Sequence, residues 1–248
     1  MSNELAGRVA IVTGAGRNIG RAIALALADA GAAVVVNGRA NRSAVDAVVA
    51  EIDSRGAKAF PSMADVSDEA AVQRMIAAAV ERFGRIDVLV NNAAVRPEKP
   101  FESLSLSDWR AVHSVILDGA FLTVKGALPH LKASGSAAIV NIGGMSAHTG
   151  AKHRAHVIAA KSGLVGFTRA LAHDLAEHGI TANCVVPGLI DTVRAPGMMP
   201  QHHLSAKTLA GRLGTPEEIA AAVRFLVGPS ARHITGQAFH VNGGAYLG

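Results

Sequence analysis

Short apolar runs rich in Val and Ile alternate with helical patterns from one end of this chain to the other, and that alternation restricts its fold more than any other feature. The runs are residues 9–13, 33–37, 86–91, 137–142, 180–186 and 238–241, with a weaker one at 57–60. Continuous apolar runs of this length mark strands buried on both faces. Between them apolar residues recur at helical spacing, as in Ile19, Ala22, Ile23, Ala26, Leu27 and Ala30, and Gly31 follows where a helix usually stops. Further helices are predicted near 68–83, 103–133, 154–178 and 216–228. Such alternation predicts α/β architecture, a doubly wound parallel sheet with helices on both faces. No Pro/Gly/Ser linker or repeat divides the 248 residues, so one domain spans 1–248. The least patterned stretch, 187–211, carries Pro187, Pro196, Gly197 and Pro200 and is expected to form a substrate lid.

Composition supports a large core. Half the residues are hydrophobic and only 17% are charged, which excludes a mainly disordered chain. The single cysteine, Cys184, lies inside a strand run and reads as a buried small residue. No basic region followed by an apolar run opens the sequence, and no uninterrupted apolar stretch reaches membrane-span length. A cytoplasmic protein with no membrane partner is expected. The net charge is +5, but the cations are scattered and aromatics make up 4%, so no nucleic-acid partner is expected.

The first strand runs into Gly14-Ala15-Gly16-Arg17-Asn18-Ile19-Gly20 and then a helix. Glycines at such a junction let the backbone approach a pyrophosphate, and the helix start supplies amide donors and a positive dipole end. Here the chain resembles the short-chain dehydrogenase/reductase family, a Rossmann-fold family, over essentially its whole length. Thr13 to Gly20 is similar to the family's TGxxxGxG turn, with Asn18 in place of the middle glycine. Asn accepts the left-handed conformation better than most residues. Asn91-Asn92-Ala93-Ala94 resembles the NNAG segment, and Pro187-Gly188-Leu189-Ile190-Asp191-Thr192 the PGxIxT segment that holds the nicotinamide amide. Segments 212–218 and 236–244 resemble the C-terminal signatures. Within the family the chain is most similar to members named 3-oxoacyl-acyl-carrier-protein reductases.

NAD sites present an acid near the end of the second strand, whereas a 2′-phosphate needs cations. The acid's expected position is Gly38; Arg39 follows, and Arg17 lies in the glycine turn. NADP is therefore the expected cofactor. The resemblance implies contacts from Gly14, Gly16, Arg17, Asn18, Ile19, Gly20 and Arg39, from Asp65 and Val66 on the adenine side, and from Asn91 and Ala93 along the ribose. It adds Lys161, Pro187, Gly188, Ile190 and Thr192 around the nicotinamide.

The family's proton-transfer machinery is an Asn–Ser–Tyr–Lys tetrad, and the resemblance places its lysine at Lys161. The tyrosine position is then Val157, the serine position Gly144 and the asparagine position Ile116. Register slippage cannot supply the tyrosine, because the only one in the chain is Tyr246. Ser146, His148, His153, Arg154 and His156 lie between the fifth strand and Lys161. Histidine titrates near neutrality, so His148, then His153, is the expected replacement proton carrier beside Lys161. No carboxylate or cysteine is spaced with these histidines, so no metal is expected. Arg96, Lys99 and Arg194 are available to an anionic group on a small-molecule substrate.

Three readings follow: an NADP-dependent oxidoreductase acting on a carbonyl or hydroxyl group with altered proton-transfer residues, a lyase or isomerase on the same scaffold, or a catalytically silent NADP-binding or subunit-pairing protein. The Ala- and Leu-rich helices near 103–133 and 154–178 carry more apolar surface than one sheet face needs. With the family resemblance, this predicts a homotetramer.

Overall fold

The computed structural model describes residues 3–193 and 208–248. Seven parallel strands form one sheet in the order β3-β2-β1-β4-β5-β6-β7. They are β1 (Val9–Val12), β2 (Ala33–Gly38), β3 (Ala59–Met63), β4 (Val88–Asn91), β5 (Ala138–Ile142), β6 (Thr181–Pro187) and β7 (Ala238–Val241). The helices include α1 (Asn18–Asp29), α2 (Arg42–Ser54), α3 (Glu69–Phe83), α4 (Leu106–His113), α5 (Gly119–Ser134), the short α6 (Ser146–Thr149), α7 (Ala155–Asp174) and α8 (Pro216–Val227).

The strand runs are apolar throughout because each faces two layers. Ala10, Val12, Val34, Val36, Val88 and Val90 pack with α1, α2 and α8 on one face. Ile11, Val35 and Leu89, the residues between them, pack with α3, α5 and α7 on the other. The weak pattern around 57–60 belongs to β3, an edge strand that carries Pro61, which has no amide hydrogen to donate.

Helix α2 was not anticipated by the periodicity analysis. Its signals are nonetheless local: Asn41 accepts a hydrogen bond from the Ala44 amide, and Val45, Val48 and Ile52 form its buried stripe. The segment anticipated as one helix near 103–133 is more complex. Ser105 and Asp108 form a reciprocal capping box, α4 follows, and Ser114–Asp118 adopts a π-helical turn before α5. Together Leu106–Ser134 is 29 residues long, and an 18-residue window of it has a mean hydropathy of 1.3, long and apolar enough by length and composition to cross a membrane. Asp108, Arg110, Asp118, Lys125 and Lys132 interrupt it, so it is not an uninterrupted apolar stretch. In the fold α5 packs on α3 and β4, while α4 and the π turn pack on α7.

The lid expected at 187–211 falls partly outside the described residues, as do Arg194, Pro196, Gly197 and Pro200. From its described part, Ile190 forms an isolated parallel bridge with Gly214, just beyond the segment.

Candidate active site

Sheet order reverses between β1 and β4, so the connections leaving these strands diverge to opposite faces and leave a crevice at their C-terminal ends. One continuous cleft opens there. It is lined by Gly14, Arg17 and Ile19 from the glycine turn, by Arg39 and Asp65 beyond β2 and β3, and by Gly144, Val157, Lys161 and Pro187 farther along. The cleft volume is about 350 Å³.

The glycine turn is fixed from three sides. The Asn37 side chain accepts from the Gly14 amide at 3.3 Å and donates to the Ala64 carbonyl at 3.1 Å. Asn92 donates to the carbonyls of Thr13 and Gly14, while the Thr13 hydroxyl accepts from the amides of Asn92 and Ala93. A Cβ at position 20 would collide with the Gly14 carbonyl, so this close turn admits only glycine there. Asn18 has φ +49°, the left-handed conformation that its placement in the glycine motif requires.

At the adenosine end, Arg17 and Arg39 both line the cleft. A side chain at Gly38 would begin 2.5 Å from a Val45 methyl, so packing closes the position where NAD sites carry an acid. Asp65 stands 3.7 Å from Arg39 and accepts hydrogen bonds from the Ser67 amide and hydroxyl. These bonds and the Arg39 charge outweigh partial burial and hold its carboxyl below the usual range. Two cations, a closed acid position and a tight glycine turn before α1 fit a dinucleotide with a 2′-phosphate.

At the other end, Val157 and Lys161 lie one helical turn apart on α7 and both line the cleft. The Lys161 ammonium donates to the Ile142 carbonyl at the end of β5. The residue is 5% exposed, and burial, aided by Arg96 and Arg154, pushes its pKa down to about 7. Ile116 and Val157 pack together in an apolar cluster with Val112, Ala120, Ala160 and Leu164. Gly144 differs: a Cβ there would meet nothing within 4 Å.

The structure does not bring His148 or His153 to this cleft. The segment after β5 coils into α6 and directs the His148 ring against β7, 4.6 Å from the His240 ring and 5.6 Å from that of Tyr246. His153 is exposed at φ +60°, and its carbonyl accepts from the Lys99 amide. His156 is fully buried, with neither ring nitrogen hydrogen-bonded. No group of His, Cys, Asp and Glu suited to a metal occurs among the described residues.

Asn18, Gly20, Val66, Ala93, Gly188, Ile190 and Thr192 line the cleft as anticipated from the sequence. Gly16 instead faces Ala44 and Val45 of α2. Asn91 is buried beneath the site, accepting from Thr123 and donating to Asn141. Cys184 is buried, and burial raises its thiol to about 11. Arg154, to which the sequence analysis gave no role, lines the cleft beside Lys161.

Residues 14–246 match the family model described as enoyl-(acyl carrier protein) reductase. The chain is 42% identical to a 3-oxoacyl-[acyl-carrier-protein] reductase of Synechocystis over 244 residues, 98% of either chain. It is 38% identical to (2S)-[(R)-hydroxy(phenyl)methyl]succinyl-CoA dehydrogenase subunit BbsD of Thauera aromatica over 97% of each. Among solved structures, a dehydrogenase/reductase from Sinorhizobium meliloti superposes with TM-score 0.93 at 35% identity, covering 99% of this chain and 98% of that one. A short-chain dehydrogenase from Burkholderia cenocepacia in complex with NADP gives 0.91 at 34% identity, covering 98% and 99%.

Proposed function

Because the chain belongs to the short-chain dehydrogenase/reductase family, we propose that it is an NADP-dependent oxidoreductase interconverting a carbonyl and a hydroxyl group without the family's usual serine and tyrosine. The observation that carries this reading is the single cleft joining the glycine turn, Arg17 and Arg39 to Lys161 and Pro187–Ile190. Arg17 and Arg39 would hold the 2′-phosphate, the amides at the start of α1 the pyrophosphate, and Pro187 to Thr192 the nicotinamide end. When bound, the nicotinamide supplies or accepts the hydride.

This chain's residues must then handle the proton. Gly144 offers no hydroxyl and Val157 no proton. His148 stands away from the cleft, whereas Lys161 lines it with a pKa of about 7. In the reductive direction its ammonium gives a proton to the substrate oxygen; in the oxidative direction its neutral amine takes one. General acid–base catalysis near its own pKa is efficient, so Lys161 can do this work unaided by a tyrosine.

A second reading, a catalytically silent NADP-binding protein, draws support from the joint packing of Ile116 and Val157. Purified protein incubated with NADPH and a panel of ketones, aldehydes and oxo acids separates the two. Saturable binding with turnover supports the oxidoreductase, and binding without turnover across the panel favours the silent protein. Lys161→Met should abolish turnover if the lysine carries the proton.

A further inference from the structure

Lys161 can deliver a proton, but a carbonyl oxygen that gains charge also needs a hydrogen-bond donor held in place beside it. Few polar side chains at the reacting end of the cleft are left to serve. Asn92 is committed to the glycine turn, and Arg96, Arg154 and Thr192 have partners of their own. Of the neighbouring hydroxyls, Thr149 donates to the Gly150 carbonyl and Ser162 to the Ala147 carbonyl, both at 3.1 Å. Ser146 is different. It lines the cleft, and its hydroxyl enters no hydrogen bond among the described residues.

Three contacts fix where this hydroxyl stands. The Met145 amide donates to the Pro187 carbonyl at 3.0 Å, which ties the start of α6 to the end of β6. The Ser162 bond to Ala147 ties α6 to α7, so the residue after Ser146 and the residue after Lys161 are joined directly. His148 packs its ring on His240 of β7, and two residues along a helix is a rotation of about 200°, so Ser146 turns to the opposite side, the cleft.

We infer that Ser146 is a catalytic residue of this site, donating a hydrogen bond to the substrate carbonyl oxygen while Lys161 supplies the proton. This inference deepens the oxidoreductase reading above and rests on it. As hydride arrives at the carbonyl carbon, the C=O π pair moves onto oxygen and forms the new O–H bond with a proton of the Lys161 ammonium. Ser146 keeps its own proton throughout, and its hydrogen bond strengthens as the oxygen gains charge. The hydroxyl missing at Gly144 is thus supplied two residues later, from the first residue of α6.

The test uses whichever ketone, aldehyde or oxo acid of the panel above the unmodified protein reduces fastest with NADPH. Ser146→Ala should lower kcat by about tenfold to 10²-fold, with KM changed less and NADPH affinity held. Ser146→Thr, which keeps a hydroxyl, should recover most of the rate, and Ser146→Cys, close in size but a weak donor, should not. Infrared spectra of the same compound, ¹³C-labelled at the carbonyl and bound to the NADP⁺-loaded protein, read the hydrogen bond without turnover. The C=O stretch should rise in Ser146→Ala. Unchanged kcat in a folded Ser146→Ala protein overturns the inference and leaves the oxidoreductase standing, as does an unmoved stretch. A rate loss matched by lost NADPH affinity, or a full rate in Ser146→Cys, overturns it too. If Ser146→Ala does not fold, Ser146→Cys and Ser146→Thr carry the same comparison. Absence of turnover by the unmodified protein across the panel removes the oxidoreductase reading and this inference with it.

Discussion

Asn18 and Val193 exchange two hydrogen bonds at 3.0 Å: the Asn18 amide group donates to the Val193 carbonyl, and its side-chain oxygen accepts from the Val193 amide. One residue thus supplies the left-handed turn and ties the glycine loop to the chain leaving β6. Glycine at position 18 would keep the turn and lose the tie. Asn18→Gly should fold normally, and hydrogen exchange at the Val193 amide should accelerate by roughly tenfold. Unchanged exchange would show that the tie contributes nothing.

Arg39 and Asp65 sit 3.7 Å apart with the arginine largely exposed. A pair of that kind is worth about 0–1 kcal/mol, less than the roughly 1.5–3 kcal/mol of a charged hydrogen bond to a phosphate. Arg39 should therefore turn toward a 2′-phosphate when one arrives. Arg39→Ala should weaken NADPH binding by about tenfold or more and leave NADH nearly unchanged, by calorimetry. Equal losses for the two cofactors would mean that Arg39 does not read the phosphate.

The histidines set an acid limit on stability. Burial holds His148, His156 and His240 below their ordinary pKa of 6.5, with Arg169 adding to the effect at His148 and His148 at His240. His156 also feels Asp108, which opposes the shift, and Arg154, His113 and Lys99, which reinforce it. Near pH 6.5 the unfolded chain binds protons that the folded chain refuses. The histidines' contribution to stability is therefore full above that pH and is lost as the pH drops below it. The melting temperature should decline from about pH 7.5 to about pH 5.5, and His156→Leu should flatten the decline. A flat profile in the unmodified protein would contradict this.

How much of this was legible in the sequence depended on distance along the chain. Strands buried on both faces and the turn from Thr13 to Gly20 are written in neighbouring residues. Helix α2 is equally local, with its cap at Asn41 and Val45, Val48 and Ile52 at helical spacing, but a stripe of three residues is a weaker signal than the continuous strand runs on either side. The orientation of His148 was not legible, because it depends on His240 and Tyr246, which only the completed sheet brings near. Arg154 likewise acquires its neighbours only when α7 docks against the sheet.

Position 144 opens onto empty space and Val157 lines the cleft, so a hydroxyl and a phenol can be supplied there. Gly144→Ser combined with Val157→Tyr should raise turnover of neutral ketones by about 10²-fold or more, the usual worth of positioned acid–base groups. The pH–rate profile should shift at the same time, since Lys161 would then support a phenol. No gain from a folded double variant that still binds NADPH would show that the site is specialised by more than these two residues.

Phe121 on α5, Phe225 on α8 and Phe239 on β7 are exposed in the single chain. Pairing of chains would cover them, and light scattering at micromolar concentration should give a dimer or a tetramer. A monomer would refute this.

The π turn at Ser114–Asp118 gives the helical run an extra residue between two segments with different neighbours. Each residue of an α-helix advances about 100° around its axis. Deleting one residue from the turn would rotate α5 by about that angle relative to α4 and swing Thr123 away from Asn91. Insertions and deletions there should be far less tolerated than substitutions, so lineages of this protein can vary the turn in chemistry but hardly in length.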